Sequence, residues 1–152
     1  MTSDFVPSYL HMQTSPLCFA LYVPALILII TAISLQKYPD SLIVGVVAIP
    51  LILLAPAFHY LKVVDERKHL FVRFGPMPLF ATKVDYSSIQ RVEKGRTLLL
   101  DGWGIHVSIR GGWVWNLWGR ECVVVHLRKG VLRIGTDDAE NLARFLEGKI
   151  GG

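Results

Sequence analysis

The chain has 152 residues, of which 52% are hydrophobic and 18% charged, with a formal net charge of +4. An ordinary soluble domain is about 25% charged, so this composition excludes a disordered chain, a charged coiled coil and a typical cytosolic globule. The deficit is local: residues 17–35 and 42–60 contain no Asp, Glu, Lys or Arg, and the rest of the chain has the charge content of a soluble protein.

Residues 1–16 hold no Lys or Arg. A cleavable signal peptide needs a basic start, so this stretch reads as an N-terminal cytoplasmic segment ahead of a retained helix. The uncharged runs 17–35 and 42–60 are each long enough, at 1.5 Å per residue, to cover about 28 Å of a hydrocarbon core roughly 30 Å thick. Between them, residues 36–41 (QKYPDS) form a polar turn with Pro39, so the spans pair as an antiparallel hairpin over 17–60. Tyr38 and Tyr60 fall where interfacial aromatic residues are expected. Pro24, Pro50 and Pro56 are expected to kink the helices, and Gly45 and Ala48 to let them pack closely. His59 is the single ionisable side chain in the spans and lies at their edge, so transport through a mid-membrane relay is not expected. Lys62, Arg67, Lys68 and Arg73 follow the second span, against Lys37 alone in the turn. That bias places both termini and the following domain on the cytoplasmic side of the plasma (inner) membrane.

Residues 62–152 carry 15 Lys/Arg and 10 Asp/Glu, enough chain for one small domain and one core. Strands are predicted at 63–66, 69–74, 80–84 and 89–94. Asp101-Gly102 has the chemistry of a two-residue hairpin turn and predicts pairing of 97–100 with a strand beginning at Trp103. In that strand Trp103, Ile105, Val107 and Ile109 alternate with Gly104, His106 and Ser108, giving one apolar face. Arg110-Gly111-Gly112 is the next turn. Strands 121–127 and 131–135 are joined at Arg128-Lys129-Gly130 as another hairpin. Asp137 and Glu140 have capping-box spacing, and Ala139, Leu142, Ala143, Phe145 and Leu146 form the apolar stripe of a final helix that stops near Gly148. The fold class is thus α+β: a transmembrane hairpin, then about seven strands in a bent antiparallel sheet or barrel capped by a C-terminal helix.

Three stretches carry a family resemblance: Val63-Val64-Asp65-Glu66 leading into His69-Leu70; Tyr86-Ser87-Ser88-Ile89 with Val92; and the passage Arg133 to Asp138 followed by Leu142, Phe145 and Leu146. With their order of strands and terminal helix they resemble the bacterial pleckstrin-homology-like (PH-like) domain, which commonly follows one or two membrane spans. The resemblance covers about residues 62–148 and implies a fold and a non-enzymatic scaffold. The spaced Lys/Arg phosphate pattern of lipid-binding relatives is missing from the turn Arg67-Lys68-His69, and the final helix has no Trp.

All four tryptophans, Trp103, Trp113, Trp115 and Trp118, fall in one Gly-rich stretch flanked by Arg110 and Arg120. Strand alternation puts Trp113 and Trp115 with Leu117 on one face and Trp118 with Val114 and Asn116 on the other, so one core cannot take every ring. These six Trp and Arg residues are the candidate interaction surface, facing a protein partner or the bilayer interface. The groups Arg91, Lys94, Arg96 and Arg128, Lys129, Arg133 read as solvated faces, and no nucleic-acid-binding module is recognisable. Cys122 and His126 share a strand face but stand about 13 Å apart at ~3.3 Å per residue, too far to share one metal. Cys18 lies in a span and Cys122 in a strand, which excludes a disulfide between them. No metal, cofactor or catalytic site is therefore expected. The expected role is a non-enzymatic scaffold or adaptor binding a membrane protein or its own copies. The alternative is a lipid-headgroup sensor that uses Trp and Arg against anionic lipid.

Overall fold

The computed structural model describes residues 6–35, 37–76, 80–98 and 101–150. Its first element is one that sequence periodicity does not reveal: strand β1, Leu10–Thr14, ahead of the helices. A 3-10 turn, Pro16–Cys18, opens into α1, Phe19–Ser34; after the turn comes α2, Asp40–Leu54, extended by a 3-10 turn, Ala55–Phe58. Pro16–Ser34 and Asp40–Phe58 are long and apolar enough to cross a membrane, and little of either is buried within the protein. Ala25 and Ala48 are buried between the two helices, and Gly45 faces Ala32. Tyr22 near the start of α1 hydrogen-bonds His59 just past α2 at 3.0 Å, which makes the hairpin antiparallel. The second span ends before the expected residue 60, because Tyr60 opens a strand.

Eight further strands follow: β2 Tyr60–Glu66, β3 His69–Phe74, β4 Ala81–Asp85, β5 Ile89–Arg96, β6 Gly104–Val107, β7 Trp113–Asn116, β8 Glu121–Leu127 and β9 Val131–Gly135. They form two sheets ordered β1-β2-β3-β4 and β5-β8-β9-β7-β6, so the expected single bent sheet of about seven strands is replaced by two open sheets of four and five. One pair, β7 with β9, is parallel, against the expected all-antiparallel arrangement. The inner faces supply the core, with Leu61, Val63, Leu70, Val72 and Phe74 from one sheet and Leu117, Val123, Val125 and Ile134 from the other. Trp115 belongs to it, its ring 5.7 Å from that of Phe74.

The hairpin expected at Asp101-Gly102 does not form as written. Thr97 and Leu98 lie outside any strand, Leu99 and Leu100 lie outside the described residues, and β6 pairs with β7 instead. Asp101 closes a local turn: its carboxylate accepts from the Leu98 N–H at 2.9 Å while its own N–H donates to the Leu98 carbonyl at 3.1 Å. The final helix α3, Ala139–Ile150, starts one residue later than the capping-box spacing suggests and runs past Gly148. Asp138 precedes it and accepts from the Asn141 amide, while Glu140 is drawn away to Lys94 and Arg144. Leu142 and Leu146 fill the core, and the Phe145 ring stacks on Tyr9 at 5.2 Å. With the Tyr9 hydroxyl bonded to Asp138, α3 seals one open side between the sheets. The opposite side, between β4 and β6, has no such plug among the described residues.

The helices and sheets meet at one end of the domain. The Ser15 N–H donates to the His59 carbonyl at 3.2 Å, and the Gly75 N–H to the Tyr60 carbonyl at 2.7 Å. Gly75 has φ +58° and packs so closely on the helix end that an added Cβ would lie 2.3 Å from the Pro56 carbonyl oxygen. Only glycine fits there, in conformation and in space.

Candidate interaction surfaces

The tryptophan stretch is divided by the fold into three environments. Trp115 is inward and buried at 9% exposure, whereas Trp113, two residues earlier on the same face, is 54% exposed because it sits at the mouth of the unsealed side. Trp103 and Trp118 stack on each other with centroids 4.6 Å apart, both partly exposed. The expected sharing of one face by Trp113 and Trp115 agrees with this, and Leu117 is buried in the same core.

The unsealed side is a cleft of about 700 Å³ whose walls include Phe80 and Val84 from the β4 side and Ile105, Val107, Trp113 and Leu132 from the other sheet. Among the described residues β4 and β6 are the outermost strands here, so each presents an edge with unpaired backbone groups to the cleft. The apolar face of β6 is therefore only half used. Ile105 packs on the core, while Val107 is 59% exposed; Ile109 lies in the turn beyond β6 and outside the cleft lining. At its helical end the cleft leads toward a smaller hollow lined by Phe58, Phe74, Phe80 and Ile105.

The stacked pair lies elsewhere. Trp103 and Trp118 line a hollow of about 410 Å³ with Leu98 and Arg120. The Trp118 carbonyl accepts from the Gln13 side chain at 3.2 Å, and Gln13 precedes the start of the first apolar helix by three residues. This ties the pair to the helical end of the domain.

The two arginines flanking the tryptophans are engaged within the protein. Arg110 donates to the Arg96 carbonyl at 2.8 Å and lies 3.8 Å from the buried Asp101 carboxylate; Arg120 Nε donates to the Thr97 carbonyl at 3.3 Å. The segment around Arg110 is held against the outer face of the five-stranded sheet, where Arg133 donates to the Gly111 carbonyl and Asn116 to the Gly102 carbonyl. Beneath it Cys122 is fully buried. Burial pushes its thiol up to about 11, with Arg133 and Arg110 opposing the shift. A thiol in that state is a poor nucleophile at neutral pH. Burial alone would raise the Asp101 carboxyl, but the Leu98 N–H, the Ser108 hydroxyl, Arg110 and His106 hold it below the usual carboxylate range. Both cysteines are free, and among the described residues no three His, Cys, Asp or Glu side chains gather where a metal ion would bind. His126 pairs instead with Glu93 at 2.8 Å.

A feature absent from the sequence reading is Asp65, which belongs to the resemblance only as part of a strand. Its carboxylate is buried and accepts from the Tyr86 hydroxyl at 2.8 Å, the Arg67 N–H at 3.0 Å and the Ser8 N–H at 3.3 Å, with Lys149 Nζ at 3.5 Å. Burial acts to raise it; these partners outweigh that and hold it below its ordinary value. It ties β2 to the N-terminal segment, the Tyr86 turn and α3, a structural hub that strand patterning cannot disclose. The sequence matches no family model and no curated protein.

Proposed function

We propose that the protein is a non-enzymatic interaction module, anchored in the inner membrane by its two helices with the domain and both termini cytoplasmic. In this reading the cleft between β4 and β6 receives an extended segment of a membrane-protein partner. The observation that carries the proposal is the half-used apolar face of β6: Val107, with Trp113 of β7 beside it, is exposed in the cleft next to two unpaired strand edges. An added strand would gain main-chain hydrogen bonds from an edge and bury alternate side chains against Ile105, Val107 and Trp113. Lys129, exposed in the turn between β8 and β9 at the rim of the cleft, favours a segment with an acidic flank.

A photo-crosslinking residue placed at Val107 or Trp113 in native membranes is expected to trap a discrete protein, whereas one at Lys68, in the turn between β2 and β3, is not. Equal labelling at all three positions, or none at Val107 and Trp113, would refute the docking surface. A product of twice the chain mass would identify the occupant as a second copy.

A second reading, a lipid-headgroup module, is favoured at the stacked pair. Trp103 and Trp118 lie beside Gln13 at the level where the first helix begins, and Trp suits a surface with one apolar and one wet side. The pair would seat the domain on the bilayer interface, and salt-sensitive binding of the full chain's domain face to anionic lipid, lost in Trp103→Ala with Trp118→Ala, would support it.

A further inference from the structure

The outward rows of the four-stranded sheet follow from its register. Met12 of β1 stands opposite Lys62 of β2, Lys62 opposite Arg73 of β3, and Arg73 opposite Ala81 of β4. Two cations are thus placed directly across adjacent strands, an arrangement that is destabilising without an anion between them. Neither side chain has a hydrogen bond, ion pair or ring contact among the described residues. The Arg73 Nε–H is buried without an acceptor. Such a group carries a desolvation cost that a charged acceptor removes.

The two cations line a hollow of about 340 Å³ with Val64 and Phe71 beside them and Asp65 and Glu66 on the same lining. Those carboxylates are already engaged: Asp65 by Tyr86, Ser8, Arg67 and Lys149, and Glu66 by His69 and Lys83. Register sets the order along the strands, with the cationic row toward the helices and the carboxylates at the far rim.

Lys62 lies two residues beyond Tyr60, where β2 leaves the helix end, and Arg73 lies two residues before Gly75, which packs on Pro56. Two strand residues rise about 7 Å. The polar layer of one leaflet is roughly 5–8 Å deep, half the difference between a whole bilayer and its hydrocarbon core. Where the helices span a membrane, the Lys62–Arg73 row therefore lies within about 7 Å of the helix end, within reach of the lipid phosphates.

We propose that Lys62 and Arg73 form a binding site for the phosphate of an anionic bilayer lipid, with Val64 and Phe71 against its glycerol. This rests on the reading of the two helices as spans and is independent of the cleft. The guanidinium offers paired donors to phosphate oxygens and Lys62 a point charge. Lys62 and Arg73 are the two cations of the lining, enough for one phosphate, so the site suits a headgroup with one phosphodiester better than a polyphosphorylated one.

The test uses the full chain carried in membranes containing phosphatidylglycerol and phosphatidylcholine, with retained lipid read by native mass spectrometry. Wild type is expected to keep phosphatidylglycerol selectively. The variant Lys62→Gln with Arg73→Gln should lose that retention about 25-fold, roughly fivefold for each cation near an anionic surface. Because the substitutions remove a like-charge pair, the lipid-free variant should unfold at the same temperature as wild type or higher, so a folding defect cannot stand in for the loss. Equal retention by variant and wild type would overturn the site. Displacement by excess inorganic phosphate, with no preference between the two lipids, would overturn the lipid as its source. Release of the chain from membranes by alkaline carbonate would overturn the spanning reading and the site with it, whereas a chain that stays in the membrane with unselective lipid retention overturns the site alone.

Discussion

Replacing Asp65 with alanine should be the most damaging single change on the domain's surface-to-core boundary. The carboxylate is 1% exposed and serves four partners on three separate pieces of chain. The N–H groups of Ser8 and Arg67 are near enough to solvent to find water, so their loss is partly recovered. Tyr86 is not so placed: it is buried, and a buried hydroxyl without an acceptor costs about 1–3 kcal/mol. Lys149 loses its counterion and keeps only the faces of Tyr86 and Phe145, each 5.1 Å away, worth roughly 0.5–1 kcal/mol at a partly exposed site. With about 0.5–1 kcal/mol added for the lost ion pair, whose lysine is partly exposed, the total is about 1.5–4 kcal/mol, centred on about 3 kcal/mol, against the roughly 3–5 kcal/mol typical of breaking a buried ion pair. For a domain of this size that lowers Tm by about 15 °C. Thermal unfolding of the full chain in detergent, followed by tryptophan fluorescence, in which the buried Trp115 changes surroundings most, measures it. Asp65→Asn keeps an acceptor for Tyr86 and should fall between wild type and Asp65→Ala. If Asp65→Ala unfolds at the same temperature as a surface control such as Glu147→Ala, the carboxylate is not the hub described.

Three other outcomes are expected. The folded carboxyls of Asp65 and Asp101 lie below their unfolded value of about 3.9, so their contribution is complete at higher pH and is lost as pH falls through the folded values; acid unfolding of Asp65→Asn should show a shallower pH dependence below about pH 4 than wild type. Cys122, buried and with its thiol near 11, should resist alkylation at pH 8 in the native protein and label fully in denaturant; rapid native labelling would contradict its burial. Gly75→Ala should destabilise the junction between helix and sheet by about 1–3 kcal/mol, through its positive φ and the Pro56 carbonyl, seen as faster proteolysis beside residue 75; unchanged digestion would refute the close packing.

How much of this was legible in the sequence depended on whether side chains announce burial. The two apolar helices did, since charge is absent through each, and so did β8, β9 and α3. Strand β1 did not, because its pattern is inverted: Leu10 and Met12 face outward at 57% and 49% exposure while Gln13 is buried at 4%. The Gln13 amide N–H donates to the Trp118 carbonyl, although its buried Oε1 has no partner, and His11 pairs with Asp137, contacts between residues far apart in the chain that no local period encodes. The strand at Trp103 misled for a related reason. Its alternation is genuine, yet the apolar face looks into a cleft instead of a core, and Asp101-Gly102 closes a turn on Leu98 instead of a hairpin. Among the candidate residues, the clustering of tryptophans and their split between two strand faces were visible, but not which rings are buried, which depends on Trp115 meeting Phe74 and Trp118 meeting Trp103 and Gln13. Lys62 and Arg73 look like part of an ordinary positive bias until register sets them face to face.

That register also links the two proposed surfaces. The Ser15–His59 backbone bond joins the two connectors between helix and strand, and Gly75, bonded to Tyr60 at the sheet end, wedges on Pro56 of the helix end. A residue's place along a strand then sets its distance from that junction. The Trp103–Trp118 pair and the Lys62–Arg73 row lie at the low end, suited to a bilayer surface, whereas Val107 and Trp113 lie at the end of the β6–β7 ladder away from Gly104 and Asn116. At ~3.3 Å per residue that is roughly 10 Å farther along the strand. Under the two proposals the surfaces therefore divide the work: the cationic row beside the helix ends would take a lipid phosphate, and the Val107–Trp113 end of the cleft, farther along its strands, would take a protein segment.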